Sequence, residues 1–204
     1  MSLKHLSLSL LLGGVLLSPV WLKTTATPVN QPKTVSLPYL AEAEKLAHDL
    51  YVHLGQKWNH RTFLQIQTAE LRHLQRLRSL LHQQGLVDPT QAQAEGQFAS
   101  QDLQTLYQKL KTKGESSLPQ ALEVGLEIEE LDILELKHWQ AQSQDTAEIQ
   151  TANHLIQASG RHLQAFYRAL NASGGTYKPH YLSEQEFQVF LNLAHGQHGR
   201  GGHF

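Results

Sequence analysis

The chain contains no cysteine, which excludes disulfides, thiolate metal sites and cysteine nucleophiles. It has little excess charge of either sign: 17 Lys and Arg stand against 18 Asp and Glu. That balance gives no electrostatic case for nucleic acid or for an acidic partner. No Gly-x-Ser-x-Gly occurs, so no hydrolase nucleophile elbow is visible. No segment of the chain alternates polar and apolar residues as a strand does. Long apolar runs are also scarce: Leu6 to Leu22 is mostly apolar but is broken by Ser7, Ser9, Gly13, Gly14, Ser18 and Pro19.

That apolar stretch follows Lys4 and His5 and precedes the small residues Thr24, Thr25, Ala26 and Thr27. The order is that of a secretory signal peptide, and the run is marginally short for a spanning helix. Residues 1–26 are therefore expected to be a signal peptide and the protein to be periplasmic or secreted, with an uncleaved membrane anchor as the alternative. No cysteine is present for a lipoprotein anchor, and after cleavage no stable membrane association is expected. Residues 27–36, rich in Pro, Thr and Gln, read as a linker; 37–192 are expected to form a helical domain. Residues 193–204, with His195, His198 and His203 among glycines, read as a disordered tail that either gathers metal weakly or is inert.

What the chain has in quantity is helical periodicity and histidine. A first helix is expected from about Pro38, capped by Ser36, to Lys57, with an inward stripe of Leu40, Glu44, Ala47, Tyr51 and Leu54. The second begins near Thr62, carries Phe63, Ile66, Glu70, His73, Leu77 and Leu81, and stops at Gly85. Only Trp58 to Arg61 connects the two, so they should be antiparallel neighbours. After an irregular crossing comes a short helix over about 100–113. A third long helix, with Ser117 as cap and Pro119 in its first turn, runs to about Gln142. Its stripe is Leu118, Leu122, Gly125, Leu126, Glu129, Asp132, Ile133 and Leu136. A fourth, to about Ser173, carries Leu155, Ser159, His162, Leu163, Phe166 and Leu170. A short helix from Ser183 is expected to cap one end of the bundle. The expected fold is all-α: a ferritin-like four-helix bundle whose one long crossover contains the short extra helix, with the short C-terminal helix added.

Each long stripe is interrupted by a residue that should not be buried alone: Glu44, then Glu70 and His73, then Glu129 and Asp132, then His162. Residues at i and i+3 share a helix face, so each pair can address one object. At about 1.5 Å of rise per residue, Glu44 and Glu70 lie roughly 20 and 14 Å from their hairpin turn, and Glu129 and His162 roughly 20 and 25 Å from theirs. All sit towards mid-bundle. Clustered buried carboxylates repel, and protons, basic partners or cations relieve them. Four carboxylates and two neutral imidazoles balance two divalent cations and suit iron, manganese or zinc. A lone Glu-x-x-His is weak, because about one match is expected by chance in so His- and Glu-rich a chain. Arg72 and Arg161 adjoin the two histidines but project about 100° away from them. Glu42, Asp49 and Glu130 fall off the stripes and are expected at the surface or just outside the site; His48 and most other histidines are expected to be solvated.

The passages Glu42–Tyr51, Ala69–Leu74, Leu118–Gly125, Ile128–Ile133, Ser159–Phe166 and Tyr177–Ser183 resemble a ferritin-like family called domain of unknown function 2202, over roughly residues 38–190. The resemblance implies a ferritin-like fold and a metal site, without an activity. Di-iron proteins such as rubrerythrins and ferritins use a Glu on the first helix, Glu-x-x-His on the second, a Glu on the third and typically an acid on the fourth. Glu44, Glu70, His73 and Glu129 match, and Glu129 with Asp132 is similar to the paired carboxylates of rubrerythrins. The departure is Ser159, which stands where a bridging Glu would precede the fourth helix's histidine. That removes one bridging carboxylate, which tells against a full two-iron, oxygen-activating centre and leaves a mononuclear or asymmetric site open. The functional expectation is an exported metal-binding protein that oxidises iron or manganese or handles peroxide. Alternatives are a non-catalytic metal buffer or a structural bundle without metal. The expected partners are metal ions, with a homodimer left open.

Overall fold

The computed structural model describes residues 35–192; the expected signal peptide, most of the linker and the Gly/His tail lie outside the described residues. Six helices and no strand occur among the described residues. They are α1 (Leu37–Trp58), α2 (Arg61–Gln83), α3 (Gln101–Gly114), α4 (Leu118–Gln142), α5 (Thr146–Ala172) and α6 (Glu184–Asn192). No helix among these residues is long and apolar enough to cross a membrane.

Local chemistry sets the boundaries. Ser36 caps α1 by accepting from the Tyr39 amide, and Ser117 caps α4 by accepting from that of Gln120. Each helix also carries a proline in its first turn, where no amide is needed. Asn59, in the left-handed region at φ 46°, ends α1, and the His60 ring accepts from the Thr62 amide to start α2. Two residues thus reverse the chain. Gly85 at φ 66° closes α2 while the Leu86 amide reaches back to the Leu81 carbonyl, the bond that satisfies a last-turn acceptor. Three residues, Ser143 to Asp145, separate α4 from α5.

The helices form two intimate antiparallel pairs, α1 with α2 and α4 with α5, which meet less closely through α1–α4 and α2–α5. The connection from Gln84 to Ser100, followed by α3, carries the chain from the first pair to the second. Two apolar clusters fill the interior. One holds Tyr51, Phe63, Phe166, Leu122 and Leu163, and the other Leu37, Leu77, Leu81, Leu136, Trp139 and Leu155. Burying such side chains stabilises the fold by about 1.5–3 kcal/mol each. Gly125 permits one close approach, because a Cβ there would lie 2.5 Å from the Phe166 ring. Phe166 in turn packs on Tyr51 and Phe63, with ring centroids 5.1 and 5.2 Å apart.

Two expectations need correction. The terminal helix α6 lies along the flank of α5 rather than across the end of the bundle. Phe190 sits over Gly160, its carbonyl accepts from the Gln164 side-chain Nε2 at 2.6 Å, and Phe187 packs on Tyr167. The acids expected at the surface are buried. Glu42 accepts from the amides of Ala99 and Ser100; Asp49 accepts from Lys45 Nζ and the Gly96 amide. Glu130, with no exposure, accepts from the Tyr177 hydroxyl and the amides of His180, Tyr181 and Leu182. These carboxylates hold irregular segments whose amides have no helix or sheet partner.

Candidate metal centre

The four long helices bring Glu44, Glu70, His73, Glu129, Asp132 and His162 into the interior between the two apolar clusters. Glu70 and Glu129 have no exposed surface, Glu44, His73 and Asp132 are buried, and His162 is nearly so. Glu70 lies at the centre. One of its oxygens is 2.7 Å from His73 Nδ1 and the other 2.7 Å from His162 Nδ1. Glu44 approaches His73 Nδ1 at 3.4 Å, and Glu129 approaches His162 Nδ1 at 3.5 Å. The two imidazoles stack at 5.4 Å between centroids and 20° between planes. Two three-residue donor groups result: Glu44, Glu70 and His73, and Glu70, Glu129 and His162, with ligand atoms in each within 4.8 Å of one another.

These approaches are at ion-pair distance but lack the alignment of good hydrogen bonds. Both Glu70 oxygens, one oxygen each of Glu44, Glu129 and Asp132, both Nδ1 atoms and Ser159 Oγ are buried without a hydrogen-bond partner. Native interiors hold only a few such atoms per 100 residues, and each costs about 1–3 kcal/mol. Here eight gather in one place. In the metal-free state the two histidines and the carboxylates pair by charge without aligned hydrogen bonds; released of their protons, the same atoms are a convergent set of cation ligands. Tyr51 supports the set from outside. Its hydroxyl donates to Glu129 Oε1 at 2.8 Å, leaving Oε2 to face His162, and burial with the nearby carboxylates keeps that hydroxyl protonated.

Without a cation the cluster retains protons. Burial pushes Glu44 up to about 7, against the pull of His73, and burial with the Glu70 charge does the same to Glu129. Burial and the surrounding carboxylates hold Asp132 well above its ordinary range. Burial opposes charge on His73 and His162, but Glu44 with Glu70, and Glu70 with Glu129, overcome it and push both up to about 10. Burial acts on Glu70 too, yet the two histidines hold it below the usual carboxylate range.

The six residues picked out in the sequence therefore meet, although Asp132 stands outside both three-residue groups. His48 does not join them; its Nδ1 lies 2.8 Å from the Gln67 carbonyl oxygen. Sequence reasoning missed Tyr51 as a partner of Glu129, treating it only as part of the apolar stripe. Its place one turn beyond Ala47, at the level of Gly125 on the facing helix, was the available signal.

A family model described as "Uncharacterized protein domain (DUF2202)" matches residues 34–194. The chain is similar to the uncharacterized protein MJ0754 of Methanocaldococcus jannaschii, with 34% identity over 166 residues that cover 81% of this chain and 89% of that protein. The crystal structure of hypothetical protein MJ0754 from Methanococcus jannaschii superposes with a TM-score of 0.76 at 32% identity, covering 82% of this chain and 95% of that one.

Proposed function

The chain belongs to the DUF2202 family, and we propose that it is a metal-binding bundle of the ferritin-like kind, holding two iron or manganese ions on either side of Glu70. The observation that carries this reading is the convergence of two buried carboxylate–imidazole donor groups on one shared carboxylate, with eight polar atoms there lacking an aligned hydrogen bond. Glu44, Glu70 and His73 would hold one ion, and Glu70, Glu129 and His162 the other, with Asp132 as a further carboxylate beside Glu44 and Glu129. Two antiparallel helix pairs joined by one long crossover support the ferritin-like assignment.

The donor set fits the ions. Carboxylate and imidazole suit iron and manganese, and equally zinc as a redox-inert occupant. Bound redox-active ions would supply electrons to dioxygen or to a peroxide. The protein's own part is to keep the ligands in place. Tyr51 fixes one oxygen of Glu129, the stacked imidazoles hold each other's planes, and apolar clusters pack on both sides. Ser159 brings no carboxylate from α5, so Glu70 is the one side chain common to both groups among the described residues. Each group would hold its ion through one further carboxylate, one imidazole and the shared Glu70.

The Ser159 departure also favours a second reading, a non-catalytic metal buffer built on the same residues. The signal-peptide pattern of residues 1–26 supports reading either activity as one outside the cytoplasm. Purified apoprotein loaded with Fe(II) and exposed to oxygen, followed by near-ultraviolet absorbance, separates the readings. Oxidation faster than in protein-free buffer supports the oxidase, and metal retention without turnover supports the buffer. Neither uptake nor oxidation contradicts both.

A further inference from the structure

Above the two histidines, the seam between α2 and α5 opens to solvent as a cleft of about 420 Å³, lined by Ala69, Arg72, His73, Arg76, His154, Ala158, Arg161 and His162. The small side chains of Ala69 and Ala158 leave the gap, and three arginines surround it. A second hollow of about 450 Å³, sharing Arg72 and Arg76, continues along the same seam towards Ala147 and Thr151. No carboxylate lines either hollow. This is unusual in a chain whose charges balance overall. Arg78, by contrast, meets Asp88 at 3.2 Å. Arg72, Arg76 and Arg161 form no ion pair with a described residue.

The field in the cleft is correspondingly positive. His154, on its wall, is held below its ordinary value by burial and then by Arg76, His73 and Arg161. The imidazoles of His73 and His162 form part of the lining while their Nδ1 atoms face the carboxylates. Their Nε2 atoms meet no acceptor among the described residues. Unpaired guanidinium groups around a concave site, with imidazole nitrogens in its wall, offer the planar and charge-assisted donors that oxyanions take.

We infer that this cleft is a binding site for a small oxyanion, of the phosphate or polycarboxylate class. Arg72, Arg76 and Arg161 supply the charge, and the Nε2 atoms of His73 and His162 the donors at its inner end. The site does not need metal to bind its anion. With the proposed centre filled, the anion would sit on the outer side of both histidine ligands.

The test is calorimetric titration of the full-length chain, freed of metal by chelation, with inorganic phosphate and separately with citrate. Saturable binding of at least one is expected, weakened about tenfold or more by the pair Arg72→Gln and Arg161→Gln. Arg168→Gln, an exposed arginine outside the cleft, should leave it unchanged. Because Arg72 and Arg161 are both exposed, the double variant is expected to keep the wild-type melting temperature. Phosphate binding alone assigns an inorganic anion, and citrate binding alone a carboxylate ligand. No saturable binding, or binding indifferent to the double substitution, overturns the inference. Metal content measured on the same preparations keeps the two proposals apart: an anion site without metal retention sinks only the metal centre, and the reverse sinks only the cleft.

Discussion

Glu70→Gln changes the centre most and the packing least. The amide matches the carboxylate in shape, but it removes the one charge that both donor groups share. Metal that binds only the folded state stabilises it by about 2.7 kcal/mol at a free concentration one hundred times its dissociation constant. For a domain of this size each kcal/mol raises the melting temperature by about 2–4 °C, so the wild type should gain about 5–10 °C. Losing the shared carboxylate should weaken both ions by about a hundredfold or more, which removes nearly the whole gain at the same metal concentration. The metal-free variant also melts lower, because two protonated histidines lose the carboxylate between them; breaking such a buried pair costs about 3–5 kcal/mol. The quantity to compare is therefore the metal-induced increment, not the absolute temperature. Differential scanning calorimetry with and without Mn(II), and anaerobically with Fe(II), reads it directly. His162→Gln, run alongside, should keep part of the increment because Glu44, Glu70 and His73 remain. A variant at position 70 that gains as much as the wild type would refute the shared-ligand reasoning.

Further outcomes follow from other parts of the structure. Folded-state values near 7 for Glu44 and Glu129, against an ordinary 4.5, and near 10 for the two histidines, against 6.5, mean the metal-free fold holds protons that the unfolded chain releases. Its stability should therefore fall as pH rises through that window, while ion binding, which displaces those protons, strengthens. The metal-induced rise in melting temperature should be larger at about pH 8 than at about pH 6, and an equal or reversed difference would count against the ligand set. Gly125→Ala should cost about 1–3 kcal/mol in urea unfolding, because the Phe166 ring has no space to yield and the helix-propensity gain of about 1 kcal/mol does not offset the clash. An unchanged midpoint would show that Phe166 can shift. Glu130→Gln leaves one acceptor where a charged group served one hydroxyl and three amides, so a loss of about 2–4 kcal/mol is expected. Hydrogen exchange at His180, Tyr181 and Leu182 should accelerate with it, and unaltered protection there would contradict the anchoring role.

The helices and the six inward polar residues were legible because both depend on a regular period. Ser36, Ser117, Pro119 and Gly85 mark helix ends through backbone chemistry that is local. The metal-centre candidates stand out because a polar residue inside an apolar stripe breaks a pattern. Glu42, Asp49 and Glu130 break none, since they lie off the stripes, where a charged residue is ordinarily solvated. Their burial comes from coverage by α3, by the crossover and by the segment around Tyr177 to Leu182, which have no period that reveals what they pack on. A hint was present in α1 and α4, which carry apolar residues around most of their circumference. Ala43 and Leu46 on α1, with Ile128 and Leu131 on α4, face Leu103 and Leu106 of α3. A helix so covered has few solvated positions left, and its acids must then find partners. The arginine cleft was hidden for a different reason: Arg72 and Arg161 do project away from their neighbouring histidines along each helix, yet the gap at Ala69 and Ala158 lets both residues border one opening.

The central claim, two ions sharing Glu70, is tested most directly by anomalous diffraction at the iron and manganese edges from crystals of the metal-loaded, full-length protein. The account predicts two anomalous peaks, one among Glu44, Glu70 and His73 and the other among Glu70, Glu129 and His162, both absent in Glu70→Gln. A single peak would reduce the centre to a mononuclear site. No peak among these residues, in protein that has taken up no metal, would contradict the account.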